Sequence, residues 1–285
     1  MRYLSTLLLG AAGLLISVAA APVQAQDQAV VTITVGQQTY GFNERPRLSQ
    51  VYQVADIPAG TYWPATRLVS TNKQNQIRTE QAAVVTDLIA MSAYYRDFGE
   101  YDVAESLRQL AAQVRSWPLV GAETVGVTVI EERSDMQPGY SYERPSFYSS
   151  AADTSRAIKH NPLLPAGTYQ FLYPPSSNTA IPWRVVGLTQ SGQAQVQAYD
   201  SMLSVRSVLQ QQQVFARLPK LASVALVDLT GQLTEIPVAY YNNNDQVAPY
   251  GAVLFIEIPE AWLIDRFQGM NQRLRSLVRY WNPTS

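Results

Sequence analysis

The sequence predicts an α+β protein: strand-like segments bracket a helical pair in its first half, strands dominate its second half, and an amphipathic helix closes it. Three observations carry this expectation. β-Branched and alternating segments recur between Val30 and Ile258, punctuated by Gly, Pro and Asn. Between Thr79 and Trp117 the apolar residues shift to helical spacing. Near the C-terminus Leu263, Phe267, Met270, Leu274, Leu277 and Trp281 step by 4, 3, 4, 3 and 4, one stripe at heptad spacing.

The chain opens with Met1-Arg2-Tyr3, then an uncharged apolar run from Leu4 to about Ala21, then the small-residue end Pro22-Val23-Gln24-Ala25. This is the pattern of a secretory signal peptide, residues 1–25, cleaved after Ala25. An uncleaved anchor is the alternative, because the run is close to the minimum spanning length. No cysteine stands at the cleavage point, which argues against a lipoprotein. No second long apolar stretch follows, so no transmembrane span is expected in the mature chain.

Hydrophobic residues make up 47% of the 285, enough for one large or two ordinary cores. With 21 basic against 22 acidic side chains the chain is almost neutral, and nothing suggests a nucleic-acid partner. The absence of cysteine removes disulfides, thiol nucleophiles, CxxC redox sites and thiolate zinc sites together.

Val30 to Val35 reads as a strand, Gly36 as a turn and Gln38 to Phe42 as the hairpin return. Arg47 to Val51 begins a short helix or turn. The segment Ile57 to Pro64 is proline-punctuated and irregular, and Arg67 to Val69 is a short strand. Val84, Val85, Leu88, Ile89 and Met91 mark one helix; Val103, Ala104, Leu107, Leu110, Ala111 and Val114 mark a second, antiparallel to it. They join near Phe98-Gly99-Glu100, and Pro118 closes the pair. Val125 to Ile130 alternates as a strand does. Ser134 to Ser150, rich in Tyr, Pro and Ser, reads as a long loop.

Leu164-Pro165-Ala166-Gly167-Thr168-Tyr169 echoes Ile57-Pro58-Ala59-Gly60-Thr61-Tyr62, so an internal repeat and a chance match both stand. Further strands are expected at Tyr169–Tyr173, Trp183–Leu188, Ala194–Ala198, Val224–Leu229, Leu233–Ile236 and Ala252–Ile258, with a short helix from an N-cap at Ser204 to Gln213. Pro237 to Tyr241 precedes a polar turn at Asn242–Asp245.

Catalytic signatures are sparse. The single histidine, His160, lies in the turn-like Lys159-His160-Asn161-Pro162 and reads as a surface residue rather than a relay base. Gly-x-Ser-x-Gly, phosphate-cradling glycine runs and calcium loops are missing, and no metal or cofactor is expected. A pair of carboxylates would suffice for a glycosidase, yet none of the 22 acidic residues is singled out as a pair. Aromatic rings suit the C–H faces of sugars, and the 17 Tyr and five Trp make that class more suggestive. Trp63 and Tyr241 stand in likely loops or at strand ends. Arg47 and Arg156 flank ordered segments, and a planar guanidinium matches a carboxylate, as in acidic sugars. The terminal stripe admits docking on the parent domains, a membrane surface or a partner protein, docking being the ordinary outcome.

Pro46-Arg47-Leu48, Tyr62-Trp63-Pro64, the inserted helical pair, and Pro237-Val238-Ala239-Tyr240-Tyr241-Asn242 running on to Gly251–Ile256 occur in an order that resembles the GfcC/YjbG family of periplasmic proteins of group 4 capsule and exopolysaccharide production. The resemblance implies two tandem β-grasp (SLBB-like) domains, similar to periplasmic domains of the polysaccharide exporter Wza, with a helical insert and a terminal amphipathic helix. The domains would be 26–165, with the insert at about 76–117, and 166–258, and the helix would be 259–285. It implies a periplasmic, non-enzymatic part in capsule assembly or export, with polysaccharide or the outer-membrane export machinery as partner. Arg156 is the nearest match to the family's pocket arginine. The chain departs from the pattern where a Gly-Arg pair reads Gly121-Ala122, and in the length of Ser134–Ser150. A glycan-processing enzyme and a purely structural envelope partner are the alternatives.

Overall fold

A computed structural model describes residues 29–55, 65–124, 161–173, 181–189, 197–199, 203–242 and 245–282. The expected signal peptide (1–25), the Ile57–Pro64 segment with Trp63, the expected strand Val125–Ile130, the expected loop Ser134–Ser150 and Arg156 lie outside the described residues. The class is α+β. Among the described residues there are two five-stranded mixed sheets.

In the first sheet, β1 (Val31–Val35) buries Val31, Ile33 and Val35 and turns Thr32 and Thr34 to the other face, the period-two signal of a half-buried strand. Gly36, at φ 57, makes the turn to β2 (Gln38–Phe42), which pairs antiparallel with β1. Helix α1 (Leu48–Val54) lays Leu48, Val51 and Tyr52 on the sheet. The strands β3 (Arg67–Ser70), β4 (Ala122–Thr124) and β5 (Gly167–Leu172) complete the order β2-β1-β5-β3-β4, with β1 and β5 parallel at its centre. Tyr52 meets Phe171 of β5 edge-on at 6.2 Å.

The second sheet repeats this plan. Strands β6 (Trp183–Gly187) and β7 (Gln197–Tyr199) pair antiparallel, helices α4 (Val205–Gln211) and α5 (Val214–Arg217) follow, and β8 (Ser223–Val227), β9 (Leu233–Pro237) and β10 (Val253–Ile256) give the order β7-β6-β10-β8-β9. Strands β6 and β10 are the parallel central pair, as β1 and β5 are in the first sheet. The likeness reaches local detail. Arg47, just before α1, bridges to Leu163, and Ser204, just before α4, bridges to Val247. Each bridge stands ahead of a left-handed glycine that leads to the last strand: Gly167 at φ 146 and Gly251 at φ 69.

This topology corrects one expectation. A domain boundary at 165/166 places residues 167–172 in the second domain; they form the central strand of the first sheet. Parallel pairing of β1 with β5 is decided by contacts more than a hundred residues apart, which no local pattern carries. Of the two readings of the hexapeptide match, repeat and chance, the strand order favours chance. The second copy of the match enters β5, the first precedes β3 of the same sheet, and the duplication lies in strand order instead.

The helical insert is α2 (Thr71–Asp97) and α3 (Tyr101–Ser116). It begins at Thr71, after an N-cap at Ser70 and ahead of the expected 76; Asn72 to Gln76 is uniformly polar, so apolar spacing does not mark this first turn. It enters the chain between β3 and β4, where the second sheet has only the tight Asp228–Gln232 turn, held by Asp228 Oδ1 accepting from Thr230 and Gln232 backbone N–H groups at 2.8 and 3.0 Å. Although inserted in the first unit, the pair packs on the second: Leu88, Met91, Leu107, Leu110 and Val114 share one buried cluster with Trp183, Val185, Phe255 and Leu274.

The expected helix 259–285 is shorter. After β10 the chain makes 3-10 turns at Glu260–Trp262 and Asp265–Phe267, and only Met270–Val278 is α-helical, here α6. Pro259 and Gly269 flank these turns, and a 3-10 register breaks the heptad geometry at Leu263, which is half-buried. Phe267, Met270, Leu274, Leu277 and Trp281 are buried, and α6 packs on α2 and β10. Backbone bonds then stitch the end of the chain to the end of α3: Val120 N–H donates to Tyr280 O at 2.8 Å and Asn282 N–H to Pro118 O at 2.9 Å.

Candidate functional site

Arg47 sits at the start of α1. Its backbone N–H donates to Gln50 Oε1 at 2.7 Å, and its Nη1 donates to the carbonyl of Asn161 at 2.8 Å. Asn161 answers from the other side, with Oδ1 accepting the Ser49 N–H and Nδ2 donating to Ser49 Oγ, both at 2.9 Å. This network ties the helix N-terminus to the segment that leads into β5, so part of the Arg47 guanidinium has a structural task. Trp63 and Arg156 lie outside the described residues.

Tyr241 belongs to a different surface, on the other unit. It follows β9 in a turn that is pinned to Ala222: the Ala222 carbonyl accepts from Val238 N–H at 2.9 Å, from Ala239 N–H at 3.3 Å and from Asn242 Nδ2 at 3.3 Å. On this fixed backbone Tyr240 is 92% and Tyr241 80% exposed. Tyr199 and Tyr173, by contrast, pack their rings: Tyr199 lies 4.9 Å from Trp183, and Tyr173 6.3 Å from Phe171. Two adjacent phenols held in water by a pinned turn serve no core. Each offers an apolar face with a hydroxyl at its edge, the chemistry that fits a polyhydroxylated ligand. The sequence singled out Tyr241 but not Tyr240. Adjacency in a motif was the available signal, and only the turn shows that both rings face solvent.

Sequence reasoning also missed a groove of about 140 Å³ between α2 and the C-terminal segment, lined by Asp87, Arg266, Phe267, Gly269, Met270 and Arg273. Arg273 spans its floor, donating to Glu80 Oε1 at 2.7 Å and Asp87 Oδ2 at 2.6 Å. Burial works against its charge, but the hydrogen bonds it donates to these carboxylates prevail and hold its pKa above the usual arginine value. These ion pairs couple α2 to α6. A crevice of about 10 Å³ beside Gln113 and Gly187 has room for no more than a water. Among the described residues no cluster of three His, Cys, Asp or Glu side chains is placed to hold a metal ion. No described helix is long and apolar enough to cross a membrane.

Residues 26–129 match the family model Capsule biosynthesis GfcC, N-terminal, and residues 191–281 match Capsule biosynthesis GfcC C-terminal. The chain belongs to the capsule biosynthesis GfcC family. The first match takes in β1 to β4 with the helical insert of this GfcC-family chain, and the second takes in β7 to α6 with the Tyr240–Tyr241 turn. Strands β5 and β6 fall between the matched stretches, so the strand that completes the first sheet is outside both. No curated protein matches the chain significantly.

Proposed function

We propose that this GfcC-family chain is an exported, periplasmic, non-catalytic accessory protein of capsule or exopolysaccharide assembly or export, and that its Tyr240–Tyr241 turn contacts the polysaccharide. The observation that carries the reading is the match of both ends of the chain to capsule biosynthesis GfcC domains. The tyrosine turn supplies the chemistry: two exposed rings on a pinned backbone offer apolar faces with few torsions to order, and their hydroxyls suit sugar hydroxyls. The repeated strand order accords with tandem β-grasp domains similar to those of the exporter Wza, and the run Leu4–Ala21 ending in Val-Gln-Ala supports export.

Calorimetry of the mature protein with oligosaccharides of the producing strain's capsule tests the reading. Saturable binding is expected, and the double substitution Tyr240→Ala, Tyr241→Ala should weaken it roughly tenfold, about 0.5–1.5 kcal/mol per ring, with the melting temperature unchanged. A flat titration at millimolar ligand would remove the glycan contact. Steady release of reducing ends from the polymer would replace the accessory protein with an enzyme, and full-length chain in the cytosol would remove export.

A further inference from the structure

The helical insert does not end where its packing ends. The fully buried positions of α2 stop at Met91 and those of α3 start at Ala104, with Tyr95 and Val103 still packed at the edge of the core, yet the hairpin continues beyond them through Arg96-Asp97-Phe98-Gly99-Glu100-Tyr101-Asp102, with Tyr94 exposed beside it. In this overhang Phe98 and Tyr101 are each 69% exposed, and Tyr94 stands with its ring centroid 4.6 Å from that of Phe98. Exposed rings of this size at the tip of a rigid support cost solvation without contributing to the core.

The charges around them are distributed unevenly. Along the body of the hairpin the carboxylates are paired: Glu80 and Asp87 with Arg273, and Glu105 with Arg108. At the tip Asp97, Glu100 and Asp102 form no ion pair among the described residues, and Arg96 is the sole cation between 94 and 102. Asp102 is favoured by the first turn of α3. Asp97 has no such support, because it closes α2, where the helix dipole opposes a carboxylate. Aromatic side chains ringed by unpaired carboxylates complement an apolar pocket edged by arginine or lysine, through ion pairs and cation–π contacts.

We infer that the hairpin tip is a docking knob for a partner protein, with Phe98 and Tyr94 entering an apolar pocket whose rim is basic. A lipid surface fits poorly, since anionic head groups repel the acidic rim. A sugar chain fits poorly as well: the Phe98 and Tyr94 rings meet at 41° and form a wedge rather than a flat face, and the most exposed ring of that pair has no hydroxyl. This surface is built from other residues than the Tyr240–Tyr241 turn and does not depend on that turn binding glycan.

The test places the photo-crosslinking analogue p-benzoylphenylalanine at Phe98 of the full chain in the producing cells, with Arg78, exposed on the body of α2, as the control site. A discrete protein adduct is expected at Phe98 and not at Arg78, and mass spectrometry should place the linked peptide beside Arg or Lys. The double charge reversal Asp97→Lys, Glu100→Lys should reduce that adduct about tenfold by setting like charges against each other, at an unchanged melting temperature. Adducts only with glycan, lipid or a second copy of the chain would overturn the inference. So would an adduct indifferent to the charge reversal, or none above the control.

Discussion

The side-chain carbonyl of Gln113 on α3 accepts the backbone N–H of Gly187 at 2.6 Å, in the buried seam between the helical insert and the second sheet. Gln113 is 3% exposed, so this bond is sealed from water and ties an element inserted in one unit to the end of β6 in the other unit's sheet. Replacing it with Leu keeps the bulk and orphans the Gly187 N–H. A loss of about 1–3 kcal/mol is expected by denaturant unfolding, the cost of a buried donor without a partner. Gln113→Glu preserves an acceptor at that place and should be the milder change in acid, where the carboxyl is protonated.

Gly187 itself admits no side chain. Its φ is 104, and a Cβ built there would lie 2.1 Å from the carbonyl oxygen of Ile256 on β10. The neighbouring atom is backbone in the parallel partner strand and has no room to retreat. Gly187→Ala should therefore leave little folded protein at 37 °C, with a loss exceeding the roughly 1–3 kcal/mol of a strained backbone conformation alone. Soluble yield and thermal melting read it directly; a variant that melts like the parent would contradict the geometry.

The terminal stripe divides into positions of different weight. Leu274 is fully buried between α2 and β10, whereas Leu263, expected on the same helix, is half-buried after a 3-10 turn. Leu274→Ala should cost about 2–5 kcal/mol, and Leu263→Ala clearly less. Equal losses from the two substitutions would mean that the continuous heptad helix forms after all.

Tyr52 provides the pH dependence. Burial beneath α1 pushes its phenol well above the ordinary tyrosine pKa of about 10. The unfolded chain then ionises at lower pH than the folded one, so the folded state holds the extra proton and stability falls as pH rises. The contribution is intact below about pH 10 and is lost progressively above it. Denaturant midpoints measured from pH 8 to 12 should decline at the alkaline end, and Tyr52→Phe should flatten the decline. The phenolate absorbance of Tyr52 should appear only with unfolding.

Local pattern located most elements. The alternation of Val31 to Val35, the Ser204 cap and the three-and-four spacing of Leu107, Leu110 and Val114 all report a face that is buried in the structure. Ser204 Oγ accepts the Ser207 N–H at 3.2 Å, a contact between near neighbours in sequence. The start of α2 was not legible, because its first turn is polar on every side. The placement of Gly167–Leu172 was not legible either, since a short apolar strand looks alike in either sheet. For the candidate surface, Tyr241 was visible as a loop aromatic. Its exposed partner ring and the overhanging tip were not, because exposure is a property of what fails to pack.

The sequence by itself determined the α+β class, the helical pair and the apolar stripe that ends the chain, all written in neighbours a few residues apart, and the family resemblance, written in the order of short motifs. The tertiary structure decided which strand sits between β1 and β3, that the insert is buried on the second sheet, and which aromatic rings remain in water. The physical reason is range: propensity and periodicity act within a turn or two of backbone, whereas parallel strand pairing and burial depend on surfaces brought together from the far ends of the chain.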